Sequence, residues 1–178
     1  MTHGSVKEAL QHTISCIQAD PAAAKMVYKS ETSLVHDMIC KAKIRELPSI
    51  VTDEPFELGG SNSAPNPMEL ILAALGTCQE VMYSAYASVM GIPLTSVKVS
   101  VKGEVDLRGA LGMDQKTPAG FTRIQYFTTI ESPAPEAELA NLAQIVETHC
   151  PVLDTLSRPV AASGTIRING RKLEPTAV

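Results

Sequence analysis

The segment that most constrains this chain is residues 66–90, a helix written with its own start and stop and apolar nearly all the way round. Asn66 suits the N-cap, Pro67 the first helical position, and Glu69 stands three residues after the cap, the spacing of a capping box. Gly91 fits the left-handed residue that ends a helix, and Pro93 blocks continuation. Between these signals, Leu70-Ile71-Leu72-Ala73-Ala74-Leu75 leaves the first half without a polar face. A helix apolar on every side must be covered on every side, so this one belongs in the middle of something. Residues 70–78 are the most apolar stretch of the chain, but a bilayer takes about 20 such residues, so no membrane span is expected.

The flanking segments supply the cover. Val6, Ala9, Leu10, Ile14 and Ile17 recur at helical spacing over residues 5–18, and Asp20-Pro21 ends that segment. Residues 26–58 interleave Val27, Leu34, Ile39, Ile44, Leu47, Ile50 and Val51 with polar residues, with turns at Asp37 and Pro48. They read as two or three antiparallel strands. Gly59-Gly60-Ser61-Asn62-Ser63-Ala64-Pro65 is a loop by composition. After the central helix, Val97, Val99 and Val101 alternate with Lys98, Ser100 and Lys102, a half-buried strand over residues 94–107. Residues 108–112 read as a turn, and Ile124, Tyr126, Thr128 and Ile130 place a second strand over 121–131. Leu139, Leu142, Ala143 and Val146 stripe a helix over 135–149. Cys150 continues that stripe, although Pro151 pushes it out of the helical region. A last strand is expected over 160–168, before an Asn169-Gly170 turn. The order of elements predicts an α+β fold with mostly antiparallel sheet, as a helical extension (1–25) and a single domain (26–178).

Apolar residues make up 44% against 19% charged, enough for a packed core, and the absence of Trp makes that core largely aliphatic. The net charge of −4 argues against nucleic acid as the main partner. The first residues lack a cationic start followed by an apolar run, so no secretory leader is expected and a cytoplasmic location follows. In a reducing cytosol, Cys16, Cys40, Cys78 and Cys150 are core residues or chemistry, because none forms C-x-x-C and no His stands at zinc-ligand spacing.

Cys78 neighbours Ile71, Ala74, Leu75 and Met82 on the central helix. A core role explains it as well as chemistry does, since free Cys is among the most buried residue types. It lies beyond the reach of the helix dipole, so a reactive thiolate there needs a nearby cation. Cys150 stands at a helix end in His149-Cys150-Pro151-Val152, but adjacent helical side chains diverge, which makes His149 a poor base for it. Cys16 and Cys40 read as structural, and His36-Asp37 as either a turn or a His/Asp pair. Glu69 lies nine residues before Cys78, about 900° around the helix and on the opposite face, so capping is its sufficient explanation.

Two stretches are recognisable together. Gly59-Gly60 with Asn66-Pro67-Met68-Glu69-Leu70-Ile71-Leu72-Ala73-Ala74-Leu75-Gly76-Thr77-Cys78, and His149-Cys150-Pro151-Val152-Leu153-Asp154-Thr155-Leu156, resemble the signature of the OsmC/Ohr family, over roughly residues 26–170. The resemblance implies an intertwined homodimer, with residues 26–58 shared with the partner chain, two buried central helices, and active sites at the subunit interface. It implies a thiol peroxidase acting on organic hydroperoxides, with Cys78 as the peroxidatic and Cys150 as the resolving cysteine. An external dithiol, often a lipoyl group on a protein, would be the reductant, and neither metal nor flavin is required. Two positions depart from the family pattern. Met68 stands where an activating glutamate is usual, and Arg45, the only arginine before Cys78, is the candidate for the activating arginine of the N-terminal strands. Asp106, Arg108 and Gly109 look like a motif of a branch with this longer N-terminus. Alternative readings are an OsmC-like protein with weak or no peroxidase activity that binds an apolar small molecule between its subunits, or another thiol reaction on the same scaffold.

Overall fold

The computed structural model describes residues 5–173. Its central helix α2 (Pro67–Met90) runs where its signals place it. Asn66 Oδ1 accepts the Glu69 N–H at 2.8 Å, Glu69 Oε2 accepts the Asn66 N–H at 2.8 Å, and Gly91 closes the helix at φ 74°. Helix α1 (Val6–Ala19) starts on a second capping box, Ser5 with Glu8, and lies against α2.

Three strands precede α2: β1 (Glu31–His36), β2 (Ile39–Lys43) and β3 (Ile50–Thr52), paired antiparallel in that order. After it come β4 (Ser96–Val105), α3 (Leu107–Ala110), β5 (Phe121–Glu131), α4 (Glu136–His149) and α5 (Pro151–Ser157). A short hairpin follows, β6 (Arg167–Ile168) and β7 (Arg171–Lys172), turning at Asn169-Gly170 with φ of 51° and 82°. β4 and β5 pair antiparallel from Ser96↔Glu131 to Val105↔Phe121. The mixed α+β architecture with antiparallel strand pairs agrees with the sequence pattern.

Three local features differ from that pattern. Residues 107–110 form a one-turn helix rather than a plain turn, because the Asp106 carboxylate accepts the Arg108 N–H and pairs with its guanidinium. The last strand shrinks to Arg167–Ile168, since among the described residues only β7 offers it a ladder. Helix α5 was not anticipated, although Pro151 after the extended Cys150 is a favourable first helical residue.

The core lies between α2, α4 and the β4–β5 sheet. Tyr83, Ala87, Leu142 and Val146 are buried together with Ile92, and Leu94, Val97 and Ile130 pack around them. Gly76 faces β4 where α2 packs on it: a Cβ there would sit 3.4 Å from Val101 Cγ2.

Much of the chain is left uncovered. Its accessible surface is 13660 Å², whereas a globular monomer of 19.0 kDa scales to about 8,400 Å². The sheet β1–β2–β3 makes no substantial contact with any other element, and all six residues of β1 are exposed. On α2, Ile71 and Val81 are open to solvent, Val81 at 64%.

The loop into α2 is pinned from one point. Asp53, 1% exposed, accepts the N–H groups of Glu54 (2.8 Å), Ser61 (3.1 Å) and Ser63 (2.9 Å) and the hydroxyls of Ser61 (2.6 Å) and Ser63 (2.9 Å). Gly60 is required there, because a Cβ would fall 1.8 Å from the Glu54 carbonyl oxygen. The Ser61 hydroxyl foremost, with the Ser63 and Glu54 N–H groups, holds the Asp53 carboxyl far below the usual carboxylate range. The stabilisation is therefore full at neutral pH and is lost as pH falls from the ordinary carboxylate range toward the lowered value. Asp53→Ala is expected to lower the melting temperature by several degrees at pH 7, with the gap from wild type closing below roughly pH 4. A gap that persists unchanged in acid would mean that the carboxylate is not what holds the loop.

Candidate active site

At about 100° per residue, the buried residues Leu75, Gly76, Gln79, Tyr83 and Ala87 occupy the arc of α2 from about 40° to 160°, counting from Ile71. Ile71, Ala74 and Val81 occupy about 280° to 360° and are bare in the single chain. Cys78 falls at about 340°, within the bare stripe and close to its edge on the buried side. It is half-buried, and whatever covers the stripe also borders the thiol.

Cys150 comes to this point from the other side. Leu142 and Val146 of α4 are buried against Ala87 and Tyr83 of α2, and Cys150 continues their row. Pro151 holds Cys150 at φ −72° and ψ 113°, turning the chain from α4 into α5. Cys150 is fully buried, and its side chain meets that of Cys78. Both are free thiols. The Val152 N–H, in the first turn of α5 and so without a partner inside that helix, points to the Cys78 sulfur.

These neighbours set the charge state of Cys78. Burial pushes its thiol above the ordinary cysteine range, and the Cys150 sulfur adds to the push, while the Val152 N–H works against both. Among the described residues, no cation in the single chain offsets the burial. Arg45 lies in the turn between β2 and β3, at φ 53°, beside Lys29, Glu31, Lys43 and Glu46. Within one chain it is not among the groups that act on Cys78, because the sheet carrying it does not pack on α2. The structure thus joins Cys78 to Cys150 but not to Arg45.

Other candidates are placed without ambiguity. Glu69 is occupied by its capping box. His149 packs against Tyr86 with the rings tilted by 59° and their centroids 5.7 Å apart, and its Nδ1 donates to the Ile145 carbonyl at 2.9 Å, so it turns away from Cys150. His36 and Asp37 pair at 3.2 Å in the exposed β1–β2 turn. Cys40 is half-buried in β2, whereas Cys16 is exposed on α1, 3.7 Å from His12 Nε2, and is not a core residue of the single chain. Met68 lines an apolar cleft of about 620 Å³ with Met38, Leu58, Leu72, Val105 and Phe121.

Sequence reasoning passed over one neighbour of the Cys78 sulfur. The Val152 amide could not be read from side-chain types. Gln79 is a polar residue on the buried stripe of α2, where Leu75, Gln79, Tyr83 and Ala87 recur every four residues.

The family model described as OsmC-like protein matches residues 60–163. A solved OsmC-like protein from Mycoplasma pneumoniae is 20% identical, with 75% of this chain and 89% of that chain covered and a TM-score of 0.64. An organic hydroperoxide resistance protein OsmC from Legionella pneumophila is 21% identical, covering 75% and 90%, with a TM-score of 0.56. An organic hydroperoxide resistance protein from Elizabethkingia anophelis is 17% identical, covering 73% and 89%, with a TM-score of 0.55. At these identities the solved structures speak for the fold. Comparison with curated proteins gives no match.

With burial the largest influence on Cys78 and Cys150 the next upward one, Cys150→Ala should shift the inflection of Cys78 alkylation by iodoacetamide to lower pH. An inflection that stays in place, measured by mass spectrometry across a pH series, would show that the two thiols are not electrostatically linked.

Proposed function

This chain belongs to the OsmC-like protein family, and on that footing we propose that it is a thiol peroxidase that reduces organic hydroperoxides through Cys78 and Cys150. The observation that carries the reading is the meeting of two free thiols, one from the middle of α2 and one from the α4–α5 junction. In the proposed reaction the Cys78 thiolate attacks the distal oxygen of R–O–O–H. An S–O bond forms, the O–O bond breaks, and the leaving alkoxide takes a proton to depart as the alcohol. Cys78 is left as a sulfenic acid. The Cys150 thiolate then attacks that sulfur, hydroxide leaves as water after protonation, and a Cys78–Cys150 disulfide remains. An external dithiol, such as a dihydrolipoyl group on a carrier protein, restores both thiols by exchange.

The same reading supplies what the single chain lacks. A second copy of the chain covers the bare stripe of α2 and takes up the unattached sheet β1–β2–β3. Such an obligate interface buries several thousand square ångströms, in keeping with an excess surface of about 5,000 Å² over a globular monomer. The partner's sheet brings an arginine, Arg45, to the Cys78 sulfur and lowers the pKa that burial raises. The reaction takes place in a reducing cytoplasm, where the thiols are kept ready.

A second reading has its own support. The apolar cleft of about 620 Å³ beside Met68, together with a thiol that burial keeps neutral, fits a protein that binds an apolar small molecule and turns over peroxide weakly or not at all. One experiment separates the two. Reduced protein is given one equivalent of tert-butyl hydroperoxide and mapped by mass spectrometry after seconds. The peroxidase reading expects a peptide pair joined through Cys78 and Cys150, absent in Cys78→Ser. If both thiols remain alkylatable, the binding reading stands instead.

A further inference from the structure

The two thiols that meet are not equally open. Cys150 is 0% exposed, and that burial is complete within one chain, so no added subunit uncovers it. It continues the row of Leu142 and Val146, which packs against Tyr83 and Ala87, and Pro151 turns the chain behind it into α5. Cys78 is half-buried. Cys150 and the Val152 N–H approach its sulfur from the α4–α5 junction, whereas Cys78 itself lies in the bare stripe with Ile71, Ala74 and Val81. Because the two side chains already meet, joining them draws neither sulfur far from its place. A Cys78–Cys150 disulfide therefore has one sulfur in the core and one beside an opening. Thiol–disulfide exchange depends on which of the two sulfurs a thiolate can reach. The incoming, attacked and leaving sulfurs also lie close to one line. Attack on Cys150 would need a reductant inside the core, on the far side of Cys150 from Cys78. Attack on Cys78 needs one only on the side away from the α4–α5 junction.

Resting on the peroxidase reading, we propose that the regenerating dithiol attacks the Cys78 sulfur and that Cys150 is the thiolate released. The first thiolate of the dithiol forms an S–S bond to Cys78. The Cys78–Cys150 bond breaks, and its electron pair leaves on the Cys150 sulfur, which takes a proton. The second thiolate of the dithiol then attacks the first sulfur of the same molecule. A cyclic disulfide closes and Cys78 departs as the thiolate. Two electrons pass from the dithiol to the protein, and both protein sulfurs end reduced. The direction also fixes the route. When Cys150 attacks the Cys78 sulfenic acid, hydroxide leaves from the side opposite Cys150. The dithiol enters at the place that the oxygen vacated, so one opening serves the hydroperoxide and the reductant in turn.

A monothiol stops after the first step and so marks the sulfur attacked. Wild-type protein is oxidised with one equivalent of tert-butyl hydroperoxide and mixed with excess cysteamine. Samples are quenched in acid at intervals, which protonates thiolates and halts exchange, and are digested with pepsin for mass spectrometry. Extrapolated to zero time, cysteamine on Cys78 with a free Cys150 should exceed the reverse pattern by at least about tenfold. In Cys150→Ala, the sulfenic acid formed by the same hydroperoxide should take up cysteamine on Cys78, because the opening that admits the oxidant also admits the thiol. Cysteamine found first on Cys150, or shared evenly, overturns the assignment. So does a disulfide that forms but resists cysteamine, or a Cys150→Ala sulfenic acid that cysteamine does not reach. If the hydroperoxide forms no Cys78–Cys150 disulfide at all, the proposed function itself fails, and this inference with it.

Discussion

Everything in this chain turns on a helix that it can only half cover. α2 is apolar around most of its circumference, and the chain lays one face of it on the β4–β5 sheet and α4. The opposite stripe, Ile71, Ala74 and Val81, stays bare, and three strands that could cover apolar surface lie unattached at the N-terminal side. Burying apolar area is the main favourable term in folding. The bare stripe therefore acts as a demand for a partner, and a second copy of the chain is the partner proposed. In that proposed dimer, folding and site assembly are one event, because Cys78 lies near the edge between the covered and the bare face.

That edge position explains the chemistry of the thiol. Burial favours the neutral form, and the neighbouring Cys150 favours it further. A neutral thiol is a poor nucleophile. Among the described residues, the Val152 N–H is the one stabilising group that the chain itself brings to the Cys78 sulfur, and the raised pKa shows that it is outweighed. For the proposed peroxidase the site is in this sense half built: the second thiol and one donor are in place, and the proposed cation is not. In the proposed assembly the missing charge arrives with the surface that covers the helix, so the thiol gains its reactivity only in the complete particle.

Residue patterns carried the elements far and the site only part of the way. The caps of α2, from Asn66 and Glu69 to Gly91, were legible because capping is local, and so was the Val97–Val101 alternation of β4. The one-turn helix at Leu107 was hidden, since it depends on what the Asp106 carboxylate does rather than on periodicity. The 160–168 strand was over-read, because alternation tells which residues suit a sheet and not whether a neighbouring strand exists to pair with them. At the site, periodicity left Cys78 and Cys150 as ordinary core candidates, and family resemblance singled them out. Their meeting is a tertiary fact: it depends on Leu142 and Val146 packing against Ala87 and Tyr83, which no local pattern encodes.

The central claim is that the reactive thiol is completed by a second copy of the chain, and complementation between two defective variants tests it most directly. Cys78→Ser has no nucleophile, and Arg45→Ala lacks the proposed cation. In a mixed dimer, the intact Cys78 of one chain faces the intact Arg45 of the other. Each variant alone should be dead or slow toward tert-butyl hydroperoxide, and the two refolded together should recover a fast site in every mixed dimer. Co-refolding that restores nothing beyond the sum of the parts, or an Arg45→Ala protein as fast as wild type, would contradict the account.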